Sequence, residues 1–270
     1  MAVNEARVLA AIREQRPLVH CLTNAVTIER VADGLAAVGA LPVMASAVEE
    51  AAEMAAHAQA VVLNLGTPTP DRFAAAALAG QRARGRGIPV VMDPVGCGST
   101  AWRTQEMRTL ARRVQPSVVR GNAPEVAALA DLPTPAALRG VTAERDMAPD
   151  AFLAQEAAGR LGGVVLVTGA VDLVVDDKQL REHHTTGAPV LGRVIGAGDL
   201  LTALVAACCA VQPEDAFASA WSGLIIFRLA VDRAEGAHLA PGSFWVRLID
   251  ALASLGPSEM PRSLAVAEAP

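Results

Sequence analysis

The clearest chemical signal in this sequence is the segment Gly196-Ala197-Gly198-Asp199, which opens onto an apolar helical stretch. Glycines allow backbone amides to approach an anion closely. A helix that begins here presents N–H groups without partners and about half a positive charge. A carboxylate at the same point can take the proton of an attacking hydroxyl. The segment therefore predicts phosphoryl transfer, with Gly196, Ala197 and Gly198 as the anion hole and Asp199 as the base.

Asp199 also has a simpler interpretation. Asp is a favoured N-cap residue, so its side chain could serve only to cap the helix. Short Gly-rich motifs often match by chance. From these four residues alone, both interpretations stay open.

The elements that must position this segment are short β-rich runs alternating with Ala-rich helical runs. Several of the runs are apolar throughout, as expected when helices cover both faces of a parallel sheet. The pattern predicts an α/β fold with a mainly parallel central sheet, helices on both faces and an antiparallel hairpin near one edge. The predicted strands are residues 18–22, 42–45, 60–65, 88–93, 117–120 and 164–168, with the hairpin at 171–176 and 179–184.

The domain organisation follows from the absence of a linker-like segment. Residues 1–255 are predicted to form one domain, and residues 256–270 a flexible C-terminal tail. Residues 131–149 are rich in Pro, Thr and Arg and are predicted to be a surface excursion. Three helical segments are predicted after the hairpin, at 197–211, 213–231 and 243–252.

Polar side chains stand where the predicted strands end, and ligands of open parallel sheets gather at that edge. Asp93, Arg120 and Thr168 each occupy such a position, and Asn122 and Glu125 follow closely after Arg120. A ligand with several phosphates suits this edge. Four of these residues also have a structural alternative that stays open. Asp93 could form a turn, and Arg120 could make a surface ion pair. Thr168 could make an ordinary capping contact, and Glu125 could be an exposed carboxylate at a helix start.

A resemblance adds to this pattern. The segment 122–125 resembles the Asn-x-x-Glu motif of ribokinase-like kinases, whose Glu helps to hold Mg²⁺ through water. The order of the motifs along the chain resembles the hydroxyethylthiazole kinase family of that superfamily, over roughly residues 16–252. The motifs are Pro17-Leu18-Val19-His20-Cys21-Leu22-Thr23-Asn24, Pro42-Val43-Met44-Ala45, Asp93-Pro94-Val95-Gly96-Cys97-Gly98, Arg120-Gly121-Asn122-Ala123-Pro124-Glu125, Val167-Thr168-Gly169-Ala170-Val171-Asp172 and Pro241-Gly242-Ser243-Phe244.

The resemblance implies a ribokinase-like fold and a kinase that uses MgATP to phosphorylate 4-methyl-5-(2-hydroxyethyl)thiazole in thiamine biosynthesis or salvage. It also implies a homotrimer with the thiazole site near subunit interfaces. Met44, Asn24 and Gly196 would bind the thiazole substrate, for which the polarisable thioether of Met44 is well suited.

The same resemblance implies the groups that hold the phosphate donor. Arg120, Thr168 and Asn122 would bind ATP, and Asp93 and Glu125 would order Mg²⁺ and its waters.

One position departs from the family pattern. Members of the family usually carry Gly-Thr-Gly-Cys where this chain has Gly196-Ala197-Gly198-Asp199. Asp is ionised at neutral pH, whereas Cys is a poor base unless its pKa is lowered. The exchange favours the base role. Two alternatives stay open. The acceptor could be another alcohol, such as hydroxymethylpyrimidine, a sugar or a nucleoside, or the chain could be a non-catalytic ligand-binding protein on the same fold.

Composition excludes several other classes. A net charge of −5 with scattered Lys and Arg gives no basic face for nucleic acid. The longest apolar stretch is shorter than the ~20 residues of a transmembrane helix, so no membrane partner is expected. The four cysteines form no Cys-x-x-Cys pair and are predicted to be reduced and buried. These features predict a cytoplasmic protein.

Overall fold

An eight-stranded sheet forms the centre of the protein in a computed structural model, which describes residues 5–133, 151–185, 189–235 and 240–260. The strands are β1 (Leu18–Leu22), β2 (Leu41–Val43), β3 (Ala60–Asn64), β4 (Val90–Asp93), β5 (Val118–Asn122), β6 (Val164–Thr168), β7 (Val171–Val175) and β8 (Leu180–His184). Every residue of β3 and β4 is buried, because helices cover both faces of the sheet.

The sheet order is β2-β1-β3-β4-β5-β6-β7-β8. Strands β1 to β6 pair in parallel, and β7 and β8 add an antiparallel hairpin at one edge. The register places Asn64 beside Asp93, and Asn122 beside Thr168. The polar ends of four strands are therefore aligned along one edge, as the sequence predicts.

The helices form two layers. Their bounds are α1 (Glu5–Gln15), α2 (Ile28–Val38), α3 (Ala51–His57), α4 (Pro70–Gly85), α5 (Ala101–Val114), α6 (Ala123–Leu129), α7 (Ala151–Leu161), α8 (Ala197–Val211), α9 (Ala216–Ala234) and α10 (Pro241–Ser254). The core against one face contains residues of α1, α2, α8, α9 and α10, whereas α3 to α7 pack on the other face. Both layers confirm the predicted α/β architecture.

Helix α8 lies between the sheet and other helices, which explains its apolar sequence. It contacts β1, β3 and β4 as well as α1, α2 and α9. Twelve of its fifteen residues are buried, including Cys208 and Cys209. A helix that is apolar all round is typical of such a central place. Its N-terminus lies at the edge where the parallel strands end.

The structure differs from the sequence-based expectation in one strand boundary and in three helices. The strand predicted at 42–45 is Leu41–Val43, so Met44 lies just beyond it. This strand is a short edge strand, the place where a Pro such as Pro42 is tolerated. Helices α1, α6 and α7 were not among the predicted elements.

The ends of the chain and the long excursion are only partly described. Residues 257–259 form a short 3₁₀ helix, and Met260 packs against the main core. Residues 261–270 of the predicted tail, and 134–149 of the predicted excursion, lie outside the described residues. In the part of the chain that is described, no helix has both the length and the apolar composition needed to cross a membrane.

Candidate active site

Asp199 lies in the first turn of α8 but does not cap it. The N-cap is Gly196, which has no side chain to make a capping bond. Asp199 is 8% exposed, and its two oxygens accept hydrogen bonds from other elements. Thr27 Oγ1, before α2, donates to Oδ2, and Asn64 Nδ2, at the end of β3, donates to Oδ1 over 2.9 Å. The capping interpretation is wrong, and the carboxylate faces the sheet edge.

Two glycines in this turn are required by their surroundings. Gly196 has a φ of +93°, and a Cβ there would lie 2.7 Å from Cγ2 of Thr27. A Cβ on Gly198 would lie 2.5 Å from Nη1 of Arg120. The turn therefore brings its backbone directly against the guanidinium of Arg120. An anion in front of the helix would meet both the amides and this cation.

Asp93, the last residue of β4, is buried beside this turn. Its Oδ2 accepts hydrogen bonds from Thr202 Oγ1 at 2.7 Å and from Arg120 Nη1 at 3.3 Å. Its Oδ1 is buried without a hydrogen-bond partner in the described structure. Burial raises the pKa of this carboxyl to about 7, with Arg120 opposing the shift and Asp199 adding to it. A buried oxygen of this kind is suited to a cation.

Arg120 joins the strand ends across the sheet. Its Nη2 donates to Thr168 Oγ1 at 2.9 Å, while Nη1 contacts Asp93. The side chain is 13% exposed, which excludes an ordinary surface ion pair. Arg120 and Thr168 thus stand side by side in front of Gly198. A planar cation next to a hydroxyl can bind phosphate oxygens.

Glu125 and Asn122 form the start of α6. Asn122 Oδ1 accepts from the N–H of Glu125 at 2.9 Å, and Glu125 Oε2 accepts from the N–H of Asn122 at 3.1 Å, which together make a capping box. Glu125 Oε1 accepts from the N–H of Gly96 at 2.8 Å. Glu125 is 6% exposed, so the alternative of an exposed carboxylate is wrong. Burial raises its pKa, and backbone hydrogen bonds lower it.

The two remaining predicted residues lie on the other side of Asp199. Asn24 lies in the turn between β1 and α2, where its backbone oxygen accepts from the N–H of Thr27 at 3.1 Å. Because Thr27 contacts Asp199, Asn24 belongs to the same side of the site. Met44 follows the neighbouring strand β2, is half-buried and packs against the core that contains α8.

Sequence analysis missed three residues that contact the two acids: Thr27, Asn64 and Thr202. Each is fully or almost fully buried. Asn64 is the sole polar residue of β3, and Thr202 interrupts the apolar run of α8. A polar residue within an otherwise apolar buried element is the signal that could have identified both. No comparable signal marks Thr27.

The arrangement combines an acid, a cationic clamp and a helix N-terminus at one edge. Within the described ranges, no three side chains of His, Cys, Asp and Glu form a group that could hold a metal by themselves. A divalent cation here would need further ligands, and Mg²⁺ usually takes them from water and from phosphate. The geometry therefore suits a phosphorylated ligand whose phosphate oxygens supply some of the ligands of the cation.

Comparisons with known proteins identify the family to which the chain belongs. A sequence model of the Hydroxyethylthiazole kinase family matches residues 9–258. The chain is 44% identical over 245 residues to hydroxyethylthiazole kinase of Desulfosudis oleivorans, covering 90% of this chain and 88% of that protein. The structure of a hydroxyethylthiazole kinase protein from Pyrococcus horikoshii OT3 matches with a TM-score of 0.84 and 36% identity, covering 94% of each chain.

A more distant match confirms the predicted ribokinase-like fold. A ribokinase-like superfamily protein from Enterococcus faecalis has a TM-score of 0.63 at 12% identity and covers 91% of this chain and 89% of its own. At that identity the likeness concerns the fold alone. The family model and the first two proteins, in contrast, match over most of the chain at much higher identity. This chain belongs to the Hydroxyethylthiazole kinase family.

Proposed function

We propose that this protein transfers the γ-phosphoryl group of ATP to the primary hydroxyl of 4-methyl-5-(2-hydroxyethyl)thiazole, in thiamine biosynthesis or salvage. The observation that carries the proposal is the buried Asp199 carboxylate at the N-terminus of α8, in a turn whose Gly198 lies against the Arg120 guanidinium. Relatives named hydroxyethylthiazole kinase match almost the whole chain, which supports the choice of acceptor.

Asp199 acts as the general base. It is held by Thr27 and Asn64, and each carboxylate oxygen keeps a further lone pair for the substrate hydroxyl. Asp199 accepts the proton of that hydroxyl while the hydroxyl oxygen bonds to the γ-phosphorus of ATP. The bond from this phosphorus to the β–γ bridging oxygen breaks, and ADP leaves. The amides of residues 196–199 and the α8 dipole stabilise the charge on the transferring group, and this preorganised cradle lowers the barrier.

Arg120, Thr168 and Asn122 bind the donor phosphates. The position of the guanidinium between Thr168 and Gly198 supports this role, because it lets one cation contact phosphate oxygens next to the amide cradle. Asn122 uses its Oδ1 to cap α6. Its contribution is therefore to place the start of α6 and to offer its amide nitrogen to the nucleotide.

Asp93 and Glu125 would hold Mg²⁺, directly or through water. The donor set fits, because both groups are carboxylates and Oδ1 of Asp93 is buried without a hydrogen-bond partner among the described residues. Mg²⁺ supplies positive charge that offsets the negative charge of the phosphates. Glu125, whose oxygens already accept two backbone N–H groups, is suited to a contact through water.

Met44, Asn24 and Gly196 form the acceptor side. Support comes from their places on the β1–β2 side of Asp199 and from the soft thioether of Met44, which suits a sulfur heterocycle. Next to them, Val26 is 69% exposed and Ile195 is 58% exposed. Exposed apolar residues beside a small-molecule site suit a contact with another copy of the chain. The number of copies follows from the family resemblance, and we propose a homotrimer whose neighbouring subunit covers the thiazole. We also propose a single domain over residues 1–255 and a cytoplasmic location.

The test is the variant Asp199→Asn, which keeps the shape of the side chain but removes the base. ADP release in the presence of hydroxyethylthiazole should fall by about 10²–10⁴-fold. MgATP binding, measured by calorimetry, should be unchanged. Wild-type turnover in this variant would remove Asp199 from the base role.

A panel of acceptors decides the substrate. The wild-type protein is assayed for ADP release with hydroxyethylthiazole, a hydroxymethylpyrimidine, sugars and nucleosides. The thiazole alcohol should have the highest kcat/KM. A higher value for another alcohol would keep the kinase and replace the acceptor. Thermal stabilisation by these compounds without any ADP release would indicate a non-catalytic binding protein.

A further inference from the structure

Asn64 is a buried amide that the proposed mechanism leaves without a role of its own. It is the last residue of β3 and is completely inaccessible to solvent. The other four residues of the strand are alanine, valine or leucine. A polar side chain in such a place costs free energy unless its hydrogen bonds are satisfied. Its contacts therefore show why an amide occupies the position.

The amide nitrogen of Asn64 points to the two acids of the site, and its amide oxygen bonds to the backbone that follows β3. Its Nδ2 donates to Oδ1 of Asp199 at 2.9 Å and makes a longer contact with Oδ2 of Asp93 at 3.4 Å. Its Oδ1 accepts from the N–H of Gly66 at 3.1 Å. The orientation of the amide follows from these partners, because two carboxylates need donors and Gly66 needs an acceptor.

The amide thus lies between two acidic groups that repel each other. The parallel register of β3 and β4 places Asn64 directly beside Asp93, and α8 brings Asp199 to the same point. An amide nitrogen has two hydrogens, so one group can face both carboxylates without adding charge. Aspartate at position 64 would add a third acid there, and an apolar residue would leave both acids with one donor fewer.

We infer that Asn64 is a positioning residue for phosphoryl transfer. It holds the Asp199 carboxylate in the orientation in which that group takes the proton, and it fixes the distance from Asp199 to the Asp93 carboxylate. Thr27 fixes the other Asp199 oxygen, so the base is held at two points. This inference rests on the proposed function, because it needs Asp199 to be the base.

The first experiment separates kcat from KM in the variant Asn64→Leu, which has a similar volume and no donor. A misplaced base should lower kcat by about 10²-fold, since displacements of about 1 Å have effects of that size. The KM for the alcohol should stay within about twofold, because Asn64 is not placed against it. The KM for MgATP should change less than kcat does, because Asn64 makes only the longer contact of 3.4 Å with Asp93. Asn64→Ser is the second variant, used if thermal unfolding shows that Asn64→Leu does not fold. Unchanged kcat in a folded variant overturns the inference.

The second experiment is a double-mutant cycle with Asp199→Asn, followed with radiolabelled ATP. If Asn64 acts through Asp199, Asn64→Leu should lower kcat by less than about threefold in the Asp199→Asn background. The matched control is Thr202→Val. This variant removes a hydrogen-bond donor to Asp93 and leaves the donors to Asp199 in place. Its effect should multiply with that of Asp199→Asn.

The outcomes distinguish the two levels of the argument. Wild-type turnover of Asp199→Asn would overturn the base role and the positioning role together. A large loss in Asp199→Asn, with a further loss of about 10²-fold on adding Asn64→Leu, would overturn only the role of Asn64 and leave the proposed function intact. A small further loss supports both.

Discussion

Replacing Gly198 by Ala separates stability from activity at the α8 turn. Gly198 is helical without a positive φ, so the backbone accepts an L residue there. Helix propensity alone favours Ala over Gly by about 0.5–1 kcal/mol. The added Cβ, however, would lie 2.5 Å from Nη1, 3.0 Å from Nη2 and 3.1 Å from Cζ of Arg120. The guanidinium has to move.

The size of that movement sets the expected effect. Ordinary van der Waals contact begins at 3.4 Å, so Nη1 must retreat by about 0.9 Å. The hydrogen bond from Nη2 to Thr168 is 2.9 Å long, and Nη1 contacts Asp93 at 3.3 Å. A shift of this size moves the cation that is proposed to bind the donor phosphates. A displacement of about 1 Å can lower the rate by 10²-fold, so kcat/KM for MgATP should fall by about that factor.

The assay needs two measurements and one control. Steady-state ADP release gives kcat/KM, and thermal unfolding gives the stability. Gly159→Ala in α7 is the matched control, because its Cβ would meet no atom within 4 Å in the part of the chain that the structure describes. Gly159→Ala should keep or raise the unfolding temperature and keep its activity. Gly198→Ala should lose activity while its unfolding temperature stays near that of wild type, because the gain in helix propensity is offset by the displacement of Arg120. Wild-type kinetics in Gly198→Ala would refute the argument that Arg120 must stay against this turn.

Two further predictions concern buried groups away from the turn. Burial lowers the pKa of His20 below 6.5, so the folded protein lacks a proton that the unfolded chain binds, and stability is lost as the pH falls below about 6.5. As the pH falls through that range, wild type should therefore lose up to about 1.4 kcal/mol of unfolding free energy per pH unit relative to His20→Gln. Denaturant unfolding of both proteins measures this difference. A difference that does not change with pH would contradict the prediction. Arg228 donates to both oxygens of the fully buried Asp172 at 2.7 Å. Arg228→Met should lower the free energy of unfolding by about 3–5 kcal/mol, and adding Asp172→Leu should recover most of it, whereas additive losses would show that the unpaired charge is not the cause.

The fold could be predicted because its signals are local and repeated. Runs of Val and Leu in β3 and β4 are apolar throughout, and this indicates a parallel sheet between helices. The antiparallel hairpin of β7 and β8 was also predicted, since a short polar turn joins two β-rich runs. The boundary of β2 was wrong, because an edge strand of three residues has no clear end in the sequence.

Without the resemblance, the site residues that could be predicted carry a charge or stand at the end of a predicted strand. Asp93, Arg120 and Thr168 do so, and the structure brings them together. Asn64 is uncharged and lies inside the strand predicted at 60–65, although β3 ends at this residue in the structure. Asn64 and Thr202 were missed because their partners come from distant parts of the chain, 135 and 109 residues away. Only the crossing of α8 over the sheet brings those partners together, and no local pattern encodes that contact.

Asp199→Cys tests whether the surroundings of position 199 are built for an oxygen base. Thr27 and Asn64 both donate hydrogen bonds to Asp199, and oxygen accepts such bonds far better than sulfur does. Burial raises the pKa of the Cys209 thiol, in the same helix, to about 12. The helix N-terminus lowers a thiol pKa, but Asp93 and Glu125 would oppose a thiolate at position 199. A mostly neutral thiol is a poor base, so kcat at neutral pH should fall by at least about tenfold and recover as the pH rises. Equal or higher turnover by the Cys variant at neutral pH would show that transfer here does not depend on a carboxylate base.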